Sequence, residues 1–249
     1  MRSRYPTSSN FSYSFGPGPL TPAIKMIVAA SVIAFLLDSL VPAMTLTFGL
    51  RPADVVERLQ IWQPFTYMFL HGGVFHILFN MLALWMFGVE LERMWGSRYF
   101  TKFYFVAGVG AALTTLLLSF TPFPFADRLY DSLTIGASGA VYGVLLAYAL
   151  YFPNRPIYMY FFFPIPAKYF VMIMGAISLY SSMGATGGGV AHTTHLGGLV
   201  AAYLYLKGGR TNLLTEIRYR VARWRINKSR RRFDVYSGGR SDDINRRVH

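Results

Sequence analysis

Long apolar runs alternate with short polar clusters along this chain. Six runs read as helices crossing a bilayer, and a length of 249 suits about six spans of ~20 residues each. They lie at about residues 24–41, 74–89, 100–120, 135–152, 169–183 and 190–206. Some thirty residues separate the first two runs and include Arg51, Asp54, Glu57, Arg58 and Trp62. That segment is long and rich in aromatics, so it is expected to be structured at the membrane interface. Pro122-Phe123-Pro124, with Asp127, Arg128 and Asp131, reads as a polar loop. Asn154-Arg155-Pro156 breaks the fourth run, and the aromatic block Tyr158–Phe163 with Pro164 and Pro166 precedes the fifth. Gly184–Gly189 reads as a flexible loop.

Residues 1–20 are polar and rich in Ser, Pro and Gly, as in a disordered arm. The apolar run after them is long and lacks an obvious small-residue cleavage site, which argues against a signal peptide. The expected organisation is a short arm over 1–23, a six-helix core over 24–207 and a basic tail over 208–249, without internal repeat. The fold class is an all-α membrane protein, a six-transmembrane-helix bundle.

Composition agrees with that class. Apolar residues make up 53% of the chain and charged residues 14%, against ~25% charged in soluble domains. Cysteine is absent, which removes disulfides, thiolate nucleophiles and thiolate metal sites together. Charge then sets orientation. Arg2, Arg4, Lys25, Arg93, Arg98, Lys102, Arg155, Lys168 and the tail fall on one side of a six-span topology. Arg51, Arg58 and Arg128 on the other side are balanced by Asp54, Glu57, Asp127 and Asp131. Lys/Arg excess marks the cytoplasmic side, so both termini are expected there, in a multi-pass protein of the cell membrane. The tail from Lys207 holds 13 of the 24 Lys+Arg and carries +9 of the formal +13. It reads as an orientation anchor touching anionic lipid; nothing else in the chain supports nucleic-acid binding.

Polar groups inside the apolar runs are costly and usually functional. Ser138 stands between Gly136 and Gly139, which strip side chains from around its hydroxyl. A lone serine in a span is ordinarily structural, bonded back to its own helix. This one lies near the start of the fourth run, where unpaired N–H groups can hold developing negative charge. His195 lies several residues into the sixth run, followed by Gly197 and Gly198. Gly139 and Gly143 thin the fourth helix at small-xxx-small spacing, and two thin faces let backbones approach closely. A nucleophile and its base need that closeness. His192 is the rival base, nearer the aqueous end. None of the eleven acidic residues falls in runs four to six. The expected machinery is therefore a Ser–His dyad without a third member.

His76 and Asn80 are i and i+4 on the second run and face one way. Both carry donors that could converge as an oxyanion hole. The competing reading is a metal held by His71, His76, His192 and His195. It lacks a His-Glu-x-x-His motif and any carboxylate or Cys to complete a catalytic zinc set, so neither metal nor cofactor is expected.

Three blocks together resemble the rhomboid family of intramembrane serine proteases. They are His71-x4-His76-x3-Asn80; Gly136-Ala137-Ser138-Gly139 with Tyr142; and Ala191-His192-Thr193-Thr194-His195-Leu196-Gly197-Gly198. The resemblance covers about residues 24–207. It implies Ser138 as nucleophile, His195 as base, and His76, Asn80 and the Ser138 backbone N–H as the oxyanion hole. It also implies Tyr142 against the His195 imidazole, His71 as a structural residue, and a cytoplasmic turn at Glu92 with Gly96-Ser97. One departure is Ala202, four residues after Gly198, where many members have a second glycine. The implied activity is cleavage of membrane proteins at a transmembrane helix. Lateral entry is expected between spans 5 and 2, with the aromatic, Pro-rich stretch before span 5 making that span the gate, and the Gly-rich helices leave a narrow site that suits a small P1 residue. The alternative is a proteolytically inactive relative that binds spans without cutting them.

Overall fold

The computed structural model describes residues 16–41, 43–159, 163–183 and 189–210. The arm through residue 15, most of the expected glycine loop (184–188), the middle of the aromatic block (160–162) and the tail beyond residue 210 lie outside these residues. Six helices stand where the six spans are expected: α1 Pro22–Leu40, α5 Val74–Trp95, α6 Ser97–Leu118, α8 Ser138–Tyr151, α9 Ala167–Met183 and α10 Gly189–Arg210. Of these, α1, α5 and α6 are each long and apolar enough by themselves to cross a membrane.

The segment expected to be structured at the interface is built of α2 Ala43–Phe48, α3 Pro52–Glu57, α4 Gln63–Thr66 and a 3₁₀ turn over Tyr67–Phe69. Its buried Gln63 accepts the Arg51 N–H at 2.9 Å. Thr134 exchanges backbone hydrogen bonds with Leu50, tying this segment to the loop ahead of α8. The expected polar loop over 122–131 contains a short helix, α7 Ala126–Asp131. Arg51 reaches Asp131 at 3.5 Å and Tyr130 donates to Glu57 at 2.8 Å, so the charges of the two loops pair with each other.

Three local differences from the sequence reading have physical causes. Residues 16–20 of the expected disordered arm are fixed on α5, where Trp85 donates to the Gly18 carbonyl at 2.8 Å and Arg93 to those of Pro17 and Pro19. The first helix begins at Pro22, a residue preset for a first helical position, and not at residue 24. The aromatic block forms an antiparallel hairpin, β1 Pro156–Met159 with β2 Phe163–Pro166, in the register Ile157↔Ile165. Its prolines exclude helix and supply no ladder donors, which suits a two-stranded element with two open edges.

Glu92 ties three helices at one end. Its buried carboxylate accepts from the N–H groups of Ala23 and Ile24 at 2.8 and 3.1 Å, from Thr21 Oγ1, and from Ser97 Oγ at 2.6 Å. The Ala23 and Ile24 N–H groups are unpaired donors of the α1 N-terminus, where negative charge is favoured. Gly96 alone separates α5 from α6, with φ +81°, a conformation that glycine adopts at little cost.

α8 lies at the centre, against α5, α6, α9 and the 3₁₀ turn. It is apolar on all sides and buried from Gly139 through Leu145, as a helix surrounded by others must be. It has 14 residues and rises about 21 Å, well short of a ~30 Å hydrocarbon core. A helix that short does not by itself cross the whole of that core.

Candidate active site

Gly136 sets the entry to α8. Its φ is +119°, a region side chains rarely adopt, and its N–H donates to the Tyr67 carbonyl at 2.9 Å. The chain therefore cannot continue as helix from Ile135, and α8 begins at Ser138. Val141 is the first residue whose N–H closes a turn, onto the Ala137 carbonyl at 3.0 Å. The N–H groups ahead of it have no helical acceptor, and the half-buried Ser138 stands among them.

Across from it, His195 Nε2 lies 2.8 Å from Ser138 Oγ. The closeness comes from glycine. A Cβ on Gly198 would stand 1.9 Å from the Gly139 carbonyl oxygen, and one on Gly139 would meet the Ala111 Cβ at 2.8 Å. No other residue fits at either point. Ala202, where the resemblance calls for a second glycine in many members, is fully buried, and its Cβ faces Gly143, where an added Cβ would lie 3.1 Å away. The small side chain is thus accommodated by glycine on the facing helix.

Tyr142 lies one turn after Ser138 and stacks on the His195 ring, centroids 4.3 Å apart and planes 8° from parallel. The buried Ser178 of α9 donates to its phenol oxygen at 3.2 Å. His195 Nδ1 is buried and has no partner among the described residues, so no carboxylate stands behind the imidazole there. His192 packs edge-on against His195 at 5.6 Å, and it is His195 whose Nε2 stands within hydrogen-bond distance of the serine.

The third group sits over Gly136. A Cβ there would lie 2.8 Å from His76 Nε2 and 3.8 Å from Ser138 Oγ, so glycine keeps open the space between imidazole and serine. The Gly72 N–H donates to His76 Nδ1 at 3.3 Å, which leaves Nε2 to carry the proton toward that space. Asn80 is buried, and its amide nitrogen donates to the His76 carbonyl at 2.9 Å, with one N–H remaining. His71 is buried, donates through Nδ1 to the Phe69 carbonyl at 3.1 Å and stands edge-on to His76 at 5.1 Å. Burial, then the neighbouring His76, pull its pKa down to about 4, against the Phe69 carbonyl, which favours the proton.

Tertiary contacts also reveal supports that the sequence did not signal. Tyr67 holds the Gly136 N–H through its carbonyl and reaches the Gly108 carbonyl through its hydroxyl at 2.8 Å. Thr115 and Thr194 share a buried hydrogen bond of 2.8 Å between α6 and α10. Hydroxyls in apolar runs were the one available hint, and many such hydroxyls only bond their own helix.

α5 and α9 meet through an aromatic pair. Phe87 stacks on Phe170 at 6.3 Å. Toward the serine end, Phe75, Phe79 and Tyr180 are 73, 63 and 82% exposed.

Comparison with known proteins shows what the chain is similar to. The Rhomboid protease GluP of Bacillus subtilis (strain 168) is 36% identical over 98 residues, 39% of this chain and 17% of that protein. Rhomboid protein 1, mitochondrial, of Saccharomyces cerevisiae is 32% identical over 140 residues, 55% of this chain and 38% of that protein. RHOMBOID-like protein 1 of Arabidopsis thaliana is 35% identical over 91 residues, 36% of this chain and 21% of that protein. The chain spans well under half the length of each of these relatives. A family model described as a rhomboid domain matches residues 58–210, more than half of the chain. From the helical core and that match, this multi-pass membrane protein belongs to the rhomboid family.

Proposed function

We propose that this chain is an intramembrane serine endopeptidase that cuts membrane proteins at a transmembrane segment, with Ser138 as nucleophile and His195 as base. The observation that carries the reading is the 2.8 Å contact between His195 Nε2 and Ser138 Oγ. The base role requires the tautomer protonated at Nδ1, which leaves the Nε2 lone pair for the serine proton. Ser138 Oγ attacks the scissile carbonyl, its proton passes to His195, and the new oxyanion takes donors from the Ser138 N–H, His76 Nε2 and the remaining Asn80 N–H. Collapse expels the amine, which takes the proton back from His195. Water then repeats the sequence on the acyl-enzyme.

A substrate helix hides its carbonyls in its own hydrogen bonds, so it must unwind before attack. The exposed aromatic faces of α5 and α9 at the serine end support lateral entry between these helices. Narrow glycine-lined surroundings favour a small P1 residue. Both termini face the cytoplasm of a cell membrane in this reading, which rests on the Lys/Arg bias.

The test uses purified protein in detergent with a generic transmembrane substrate. Cleavage is expected for the natural chain and absent for Ser138→Ala. A fluorophosphonate is expected to label Ser138 alone, and EDTA to leave cleavage intact. Full activity in Ser138→Ala would end the serine-protease reading. No cleavage and no labelling by a folded natural chain would favour an inactive, span-binding relative. Loss with EDTA that zinc restores would favour the metal reading.

A further inference from the structure

Away from the serine, α6 and α10 flank an open groove of about 670 Å³. Its floor is Gly110 against Ala201, where an added Cβ on the glycine would stand 2.3 Å from the Ala201 Cβ. Its walls include Val106 and Leu113 on α6. At one end stand Lys102 and Tyr205. Lys102 is exposed and makes no ion pair among the described residues.

Length and polarity identify the occupant. From Lys102 to Leu113 the helix rises about 16 Å, close to half of a ~30 Å hydrocarbon core. Along α6 the groove therefore covers about half the depth of that core, beginning at Lys102, six residues past Gly96 of the α5–α6 turn. An apolar trough of that length, with an ammonium and a phenol at one end, matches an acyl chain ended by an anionic headgroup. Tyrosine suits the boundary, with its ring in the apolar layer and its hydroxyl in the wet one. Lysine can extend its charge along such a trough to the headgroup level.

We propose that this trough is a binding site for one anionic phospholipid, its phosphate paired with Lys102 and an acyl chain laid over Gly110 and Ala201. The charge pairing selects the headgroup, and the small floor residues let the chain lie deep against both helices.

The experiment uses the full-length protein in a neutral detergent. It is titrated with phosphatidylglycerol, or with phosphatidylcholine of the same acyl chains, and bound lipid is counted by native mass spectrometry. One phosphatidylglycerol is expected to be retained about tenfold more strongly than phosphatidylcholine. Lys102→Gln is expected to remove that preference, and Leu113→Trp to weaken retention of both lipids. Leu113 is 45% exposed and Leu204, on the opposite wall, is 64% exposed, so Leu204→Trp repeats the filling test should the first variant fold poorly. Equal retention of the two lipids by the natural chain overturns the proposal. So does a preference that survives Lys102→Gln, which assigns it to the basic tail. A dimer that Leu113→Trp disperses overturns it too, since a second copy would then occupy the trough.

Discussion

The imidazole of His195 lies flat on the phenol ring of Tyr142, 4.3 Å away, while Ser178 on α9 holds the phenol oxygen at 3.2 Å. One ring thus sets the plane of the proposed base and is itself anchored to the helix flanking the proposed substrate entry. Tyr142→Phe keeps the stack and loses the Ser178 bond; it is expected to retain most turnover. Tyr142→Ala removes the platform and is expected to lower kcat far more than it raises KM. Single-turnover kinetics of both variants checks this. Equal turnover for Tyr142→Ala and the natural chain would show that the stack does not orient the base.

The two histidines of α10 separate the base from its neighbour. His195→Ala is expected to abolish cleavage in a folded, inserted protein, and His192→Ala to retain substantial cleavage. A dead His192→Ala beside an active His195→Ala would reverse the assignment.

The oxyanion donors make a kinetic prediction. Removing one donor of such a hole costs roughly 10²–10³ in rate when it acts alone. The Ser138 N–H shares the oxyanion here, so His76→Ala and Asn80→Ala are each expected near the lower figure, with the double variant slower than either. The loss should fall on turnover, because the bond strengthens as charge develops. Asn80 also braces the His76 carbonyl, so thermal unfolding is measured alongside. Activity that falls only in step with melting temperature would mean these residues merely stabilise α5.

Gly198 tests the helix contact. Gly198→Ala places a methyl 1.9 Å from the Gly139 carbonyl oxygen, so α8 and α10 must part. A stability loss of about 1–3 kcal/mol is expected, with loss of cleavage as the dyad separates. Gly175→Ala on α9 meets only Leu199 Cδ1 at 3.5 Å and is expected to keep both stability and activity. Denaturation midpoints of the two variants make the comparison.

His71 gives stability a pH dependence. Its folded pKa, about 4, lies below the ordinary 6.5. Its folded site therefore favours the neutral ring, and stability from this residue is fully present above pH 6.5. As pH falls from there toward 4 the unfolded chain takes up the proton first, and that stability is lost; below 4 the loss levels off. Melting temperatures at pH 7 and pH 4.5 are expected to differ less for His71→Gln than for the natural chain. An unchanged difference would remove His71 from the account.

Much was legible in the residues alone. Six apolar runs identified the helical membrane class, because every backbone polar group in lipid must be satisfied within its own segment. Ser138 and His195 stood out since polar side chains there are costly, and their glycine neighbours foretold close helices. His76 and Asn80 could be paired because i and i+4 share a face. Tertiary packing decided the rest. The start of α8 at Ser138 depends on the positive φ of Gly136 and on the carbonyl of the distant Tyr67. The Ser178 anchor on Tyr142 and the Glu92 carboxylate across the α1 N-terminus join residues 36 and about 70 positions apart. Hydrophobic periodicity says which face of a helix is buried; it does not say which helix lies against that face. That is settled only when side chains of particular size meet, as Gly198 does at the Gly139 carbonyl.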